Sequence, residues 1–344
     1  MNIFSGYQKG INLGGWLSQC VSREKVHFDT FITEDDIKTI AGWGLDHVRL
    51  PFDYDIIETD DGVFKEDGLA YIDNCISWCK KYGLNLILDL HKTFGYTFDP
   101  LEKTDKEIFF HDETLQSHFI ELWTRLAERY GKYSDFVAFE LLNEIVSFHV
   151  VNEWNDIVKK TVTAIREIAP ETYILFGGVN YNNVASVPSL IEPFADKLVY
   201  NFHCYDPLIF THQKAYWVEG MPSDFEMKYP ATIAEFREAS LSVGQQAQGA
   251  IFDDNLDPDS TEIFEPLFAP AIRTAAERNV PLYCGEYGVI DQADPAFSLN
   301  WLNDIHAAFE RHGIGRALWN YKNKDFGIVD EHYNDIRSEM IKIL

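Results

Sequence analysis

The strongest constraint on this 344-residue chain is a repeated alternation. Short, nearly continuous apolar runs recur along it, separated by longer segments whose apolar residues fall three and four apart. The runs are Gly10–Gly14, His47–Phe52, Leu84–His91, Phe136–Asn143, Thr172–Gly177, Lys197–His203, Val280–Glu286 and Gly315–Asn320. Stretches such as LNLILDLH and FVAFELLN predict strands buried on both faces, as in a parallel sheet covered by helices. The segments between them predict those helices. Leu115, Phe119, Leu122, Trp123, Leu126 and Tyr130 share one face, with Gly131 next as the predicted C-cap. Leu299, Leu302, Ile305 and Phe309 repeat the pattern ahead of Gly313. Thr33-Glu34-Asp35-Asp36 predicts a helix start, its acids suiting the positive end of the dipole, and the helix ends before Gly44. Eight strands alternating with helices are what a (β/α)8 TIM barrel requires, and the length suits one such domain over residues 1–344.

Most strand-to-strand spacings fit an ordinary βα unit, but His203 and Glu286 lie 83 positions apart. The surplus, about 50 residues, predicts an inserted sub-domain over 206–262 on the sixth βα loop. Such loops lie on the active face of a barrel, so the insertion is expected to wall a cleft. Phe210, His212, Tyr216 and Trp217 are its candidates for meeting a substrate, or for forming a small core of its own.

Composition narrows the partners. Lys and Arg number 29 against 55 Asp and Glu, a net charge of −26. Nucleic acid and anionic membranes both need a cationic face and are not expected partners; a neutral substrate is compatible. No apolar run approaches the roughly 18 residues of a membrane span. The five cysteines, Cys20, Cys75, Cys79, Cys204 and Cys284, suggest no paired framework; Cys75 and Cys79 sit on one helical face as buried thiols. The opening MNIFSGYQKGINLGGW has neither a basic n-region nor an apolar h-region, so the chain reads as cytoplasmic as it stands, and secreted if a leader has been removed. A monomer without cofactor is expected.

Polar residues gather at the C-terminal ends of the predicted strands: Arg49, His91, Asn143 with Glu144, His203 with Tyr205, Glu286, and Trp319 with Asn320. Residues so placed converge over a barrel mouth. Two carboxylates from opposite sides point to glycosidic cleavage, which needs a proton donor for the leaving oxygen and a carboxylate across the anomeric carbon. Direct attack by the second would retain configuration and would require a separation of about 5–5.5 Å. The donor needs a raised pKa, supplied by burial or by the other carboxylate's charge, and Arg49 would keep the nucleophile ionised. The rivals on this fold fit less well. A metal-dependent hydrolase would open with an H-x-H pair, but the first strand reads GINLGG, and no residues have metal-ligand spacing. A sugar-phosphate enzyme would need a glycine-rich phosphate cradle after strands seven and eight. A non-catalytic glycan-binding protein would not need both carboxylates.

These residues also carry a resemblance. FELLNE at 139–144 and CGEYG at 284–288 resemble the strand-four and strand-seven motifs of glycoside hydrolase family 5, in clan A. GINLGGW at 10–16, HVRLPF at 47–52, LDLH at 88–91, NFHCYDP at 201–207 and ALWNYK at 317–322 fall in register with that family's other motifs. The likeness covers essentially the whole chain and is strongest to the family's clostridial endoglucanases. It implies a retaining hydrolase of β-1,4- or mixed β-1,3/1,4-glucans, with a β-mannanase or an exo-acting β-glucosidase or glucanase as the alternative within the same family. In it Glu144 would be acid/base and Glu286 nucleophile. Asn143 would bind the sugar 2-hydroxyl, Tyr205 would orient Glu286, and Trp319 would stack under the −1 ring. Arg49, His91 and His203 would complete the conserved set, and Trp217 is the candidate contact from the insertion. The clostridial members pair two histidines after the third strand, whereas here Lys92 follows His91, so changed substrate contacts are expected there.

Bland roles compete at several positions. Glu140 shares the side of Glu144 but lies deeper, and is expected to pair with a buried cation such as Arg49. His47 is expected to be a satisfied core histidine. Lys92, Tyr96 and Phe98 either line the cleft or cover the rim. Trp43, Trp78, Trp123 and Trp301 sit on helical faces and are expected in the core.

Overall fold

The computed structural model describes residues 1–245 and 250–344. Eight parallel strands pair in chain order and close on themselves, β1 against β8. They are β1 (Lys9–Asn12), β2 (His47–Asp53), β3 (Asn85–Lys92), β4 (Val137–Glu140), β5 (Ile174–Gly177), β6 (Leu198–Cys204), β7 (Leu282–Tyr287) and β8 (Gly315–Leu318). All eight predicted runs become strands. β4 and β8 stop sooner than predicted, because past Glu140 and Leu318 the chain leaves the ladder to carry Glu144 and Trp319 over the mouth.

The outer ring holds α1 (Glu34–Gly42), α2 (Glu66–Tyr82), α3 (Glu113–Tyr130) and α4 (Val151–Ile168), then α5 (Ile233–Ser242), α6 (Phe264–Glu277), α7 (Pro295–His312) and α8 (Arg337–Ile343). Thr33 caps α1 reciprocally with Asp36. α7 ends on Gly313 in the left-handed conformation, φ 64°. Gly131 follows α3 as expected but stays right-handed, φ −58°, because the chain continues as a 3-10 turn over Gly131–Tyr133. The strict strand–helix alternation fails once. Between β5 and β6 there is no full helix, only a turn at Val179–Asn182 and a 3-10 segment at Val184–Ser189, and α6 packs against that segment. α5 belongs instead to the long β6–β7 connection. Residues 246–249 of the predicted 206–262 insertion lie outside the described residues.

The barrel interior is divided. Its lower part is apolar: Ile87, Ala138, Leu175, Val199, Tyr283 and Ala317 meet there, with Phe4 and Tyr7 against them. The larger core lies between strands and helices and includes Trp123 and Trp301, both 0% exposed, with Trp43 and Trp78 partly buried against it. Cys75 and Cys79 are buried in it, and all five cysteines are free. His47 is the satisfied core histidine expected, bonded to Asp46 Oδ1 at 2.6 Å and Tyr283 Oη at 2.7 Å. Above the apolar layer the interior turns polar, and that layer supports the mouth. Among the described residues no helix is long and apolar enough to cross a membrane.

Candidate active site

The polar layer is organised by one guanidinium. Arg49, on β2 and fully buried, donates from Nε and Nη2 to the two oxygens of Glu140, both at 2.7 Å. This bidentate pair is the structural partner expected for Glu140. Nη1 donates to Asn12 Oδ1 at 2.9 Å and to Glu286 Oε1 at 2.7 Å. Nη2 also meets Asn143 Oδ1 at 2.9 Å and Asp89 Oδ2 at 3.0 Å. Asn201 Nδ2 donates to Glu140 Oε1 at 2.8 Å, and its Oδ1 accepts from Gly285 N at 2.9 Å. Asn12, Asp89 and Asn201 were not singled out in the sequence. Asp89 had a legible signal, two residues before His91 on the same face of an otherwise apolar strand.

Glu286 sits where the β6–β7 register shifts, so that His203 pairs with Glu286 rather than Gly285. A bulge of this kind re-aims a side chain. Glu286 Oε1 is held by Arg49 and Oε2 accepts from Tyr205 Oη at 3.0 Å. Glu144 contacts no cation. Its Oε1 lies 2.9 Å from His203 Nδ1, and Tyr96 Oη donates to its backbone oxygen at 2.6 Å. One carboxylate oxygen each from Glu144 and Glu286 and a ring nitrogen of His203 all lie within 4.8 Å of one another.

The two carboxyls differ electrostatically. Burial and the charge of Glu286 push Glu144 well above the usual carboxylate range. Burial also raises Glu286, but the Arg49 guanidinium opposes the rise. Burial holds His203 and His91 well below the usual histidine range, so both rings are neutral near pH 7. A neutral His203 adds no positive charge beside Glu144 and leaves its proton in place.

Trp319 stands over the mouth, its indole parallel to the His91 ring at 5.8 Å and 3°. Gly14 makes room: a Cβ there would lie 2.5 Å from the indole edge. Asn320 fixes the same junction, accepting from Gly14 N and donating to Gly14 O, both at 2.9 Å. His91 Nδ1 is tied to Asp89 Oδ2 at 2.6 Å.

A cavity of about 680 Å³ opens above these groups. Glu144, His203, Tyr205, Trp217, Glu286 and Trp319 line it directly, whereas Arg49, His91 and Asn143 lie beneath and brace them. Lys92 and Phe98 line the cleft; Tyr96 does not, being buried under Glu144. Lys92 is tied to Glu102 and lies 3.9 Å from Asp99. From the long β6–β7 connection, Tyr216 is 76% exposed and lines the cavity with His212 and Trp217. Phe210 is fully buried against Tyr229 instead, because its short helix (Leu208–Thr211) turns it into the core. Several lining segments carried no candidate in the sequence, among them Gln19 with Arg23, and Asp99 with Glu102. Asn180 and Tyr181 follow β5, and Lys324 and Asp325 follow β8, each in a run of left-handed residues whose only signal is its Asn and Asp content.

Among the described residues, Glu144, His203 and Glu286 are the one group whose atoms converge as metal ligands could. Each is already committed to a protein partner, and Arg49 against Glu286 opposes a second cation there. What the arrangement offers instead is a carboxyl biased to hold a proton facing a carboxylate biased to be ionised, across a gap that admits one reacting carbon.

The profile of the family described as Cellulase (glycosyl hydrolase family 5) matches residues 7–325. The chain is 42% identical over 341 residues to Endoglucanase C of Acetivibrio thermocellus, covering 98% of each. It is 44% identical over 312 residues to Cellodextrinase A of Ruminococcus flavefaciens, covering 90% of this chain and 84% of that one. The solved structure of Thermotoga maritima Cel5A in complex with cellobiose superposes with a TM-score of 0.74, over 98% of this chain and 97% of that one; at 20% identity it speaks to the fold alone. The class is thus a glycoside hydrolase on a (β/α)8 barrel. The chain belongs to the cellulase family, glycosyl hydrolase family 5.

Proposed function

We propose that this enzyme cleaves β-1,4- or mixed β-1,3/1,4-glucans and their oligosaccharides with retention of configuration, Glu286 being the nucleophile and Glu144 the acid/base. The observation that carries the reading is the spacing of the two carboxyls, with oxygens within 4.8 Å. Direct attack suits about 5–5.5 Å, whereas inversion through an interposed water needs roughly 6.5–9.5 Å. The relatives' names, Endoglucanase C and Cellodextrinase A, support a β-glucan chain or short cello-oligosaccharide as substrate.

The roles follow from the surroundings. Arg49 and Tyr205 hold Glu286 ionised and aimed, so its carboxylate attacks the anomeric carbon. Glu144 gives its proton to the glycosidic oxygen as that bond breaks, and the leaving sugar departs. The ester formed on Glu286 carries no charge, so the repulsion that raised Glu144 is gone. Glu144 then takes a proton from water, the water oxygen attacks the same carbon, and Glu286 is released as the carboxylate. Asn143 offers its Nδ2, which donates to no atom among the described residues, to the sugar 2-hydroxyl. Trp319 stacks under the −1 ring, with His91 fixing its plane. His203 positions Glu144, and the 206–262 segment walls the cleft through Trp217.

The test is stereochemical. Proton NMR early in the hydrolysis of a β-glucan oligosaccharide should show the β-anomer of the new reducing end before mutarotation. An α-anomer appearing first would overturn the mechanism.

A further inference from the structure

We propose that Thr211 is a positioning residue for the nucleophile: it ties the exits of β6 and β7 together and so holds the Tyr205 phenol against Glu286. This rests on Glu286 being the nucleophile and Tyr205 the residue that aims it. The β6–β7 ladder ends at Cys204 and Tyr287, and its register shifts just before, between Phe202 and His203. Past that point no strand pairing fixes the two exits relative to each other. The carbonyls of Tyr205 and Asp206 have left the ladder inside the protein, and such groups need donors. Thr211 Oγ1 donates to the first at 2.5 Å, and Trp301 Nε1, from α7, donates to the second at 3.0 Å. The main chain of Thr211 meanwhile reaches the other strand. Its carbonyl accepts from Ile290 N at 2.9 Å, four residues past Glu286. One residue is therefore bonded to the β6 exit through its side chain and to the β7 exit through its backbone.

The link passes to Glu286 through Tyr205. The Tyr205 ring packs edge-to-face against His212 at 4.9 Å and Phe326 at 5.8 Å, and its phenol donates to Glu286 Oε2 at 3.0 Å. With the ring packed and the carbonyl bonded, the phenol has one place to go. Thr211 itself does not meet the substrate, being fully buried and off the cavity wall. Its hydroxyl has one proton, given to the Tyr205 carbonyl. At the 3.1 Å contact with His212 Nδ1 the ring nitrogen is then the donor, so the hydroxyl is spent on the protein. Valine has nearly the same shape, so filling the space does not require a threonine; bonding the carbonyl does. Geometry at a reacting group is costly to lose, since a shift of about 1 Å can cost about a hundredfold in rate.

The experiment reads nucleophilic attack alone. The probe is a dinitrophenyl β-cellobioside fluorinated at the second carbon of the reacting sugar. The carboxylate forms an ester with the anomeric carbon, and dinitrophenolate leaves with the electron pair and needs no proton from Glu144. The fluorine slows hydrolysis of the ester, so the trapping rate reports on attack, and mass spectrometry of peptides locates the ester. Thr211→Val should slow trapping about tenfold, and Thr211→Ser, which keeps the hydroxyl, should restore most of the rate. In a Tyr205→Phe background Thr211→Val should change the rate by less than about twofold, because the phenol it places is gone. If Thr211→Val does not fold, Thr211→Ala takes its place in the same comparison. An unchanged rate in Thr211→Val, equal losses in the valine and serine forms, or the same fold loss in both backgrounds would overturn the proposal while the ester stays on Glu286. An ester on any other residue would overturn the nucleophile reading and this proposal with it.

Discussion

Replacing Glu286 by Gln should lower the pKa of Glu144. The two carboxyls approach within 4.8 Å. At an effective dielectric of about 20, two unit charges that far apart repel by about 3.5 kcal/mol. The amide has nearly the shape of the carboxylate and can still accept from Arg49, so the substitution removes charge while keeping the site assembled. Arg49, no longer opposed by Glu286, adds to the fall, since it already acts to lower Glu144. Burial remains, so Glu144 should stay above the ordinary carboxylate range while moving toward it. Carbon-13 NMR of δ-labelled glutamates, titrated in both forms of the protein, reads the midpoint directly. A midpoint for Glu144 that does not move, or that rises, would refute the idea that Glu286 holds the proton on its neighbour. In the proposed mechanism the same discharge accompanies ester formation on Glu286, so the variant would measure the step that turns Glu144 from acid into base.

Three further outcomes are expected. Arg49→Met leaves Glu140 and Glu286 without their buried counter-charge and should destabilise the fold by about 3–5 kcal/mol, read from the denaturant midpoint; a loss under 1 kcal/mol, roughly a surface pair's worth, would mean Arg49 does not hold the polar layer together. Burial raises Asp53 and Asp89 to about 7 each, so the folded state keeps protons that the unfolded chain releases near its ordinary carboxylate value of about 4. That stability is present below about pH 4 and lost as pH rises through about 7, so the melting temperature should fall from pH 5 to pH 8; a rise over that interval would contradict it. Trp217→Ala should raise KM for longer oligosaccharides several-fold, within the range of a lost aromatic contact, and an unchanged length profile would return Trp217 to a packing role.

The sequence by itself determined the barrel and singled out the two carboxylates proposed for the chemistry. Strand signals such as LNLILDLH and FVAFELLN are local, because a strand buried on both faces needs apolar residues at consecutive positions. Glu144 and Glu286 stood out because each ends such a run. Arg49 and Glu140 were legible as a pair for a related reason: a charge inside an apolar strand must find its opposite. Tertiary structure decided the rest. Between β5 and β6 no full helix forms, and a 3-10 segment covers the barrel there with α6 packed against it. Phe210 and Trp217 look alike as aromatic residues of one insertion, yet one turns into the core and the other into the cleft. Asn12 and Asn201 are ordinary asparagines until the closed barrel aims them at Arg49 and Glu140. The difference in protonation between two glutamates of identical chemistry is likewise a tertiary property. It arises because a guanidinium on β2 reaches Glu286 and not Glu144, which no single stretch of the chain encodes.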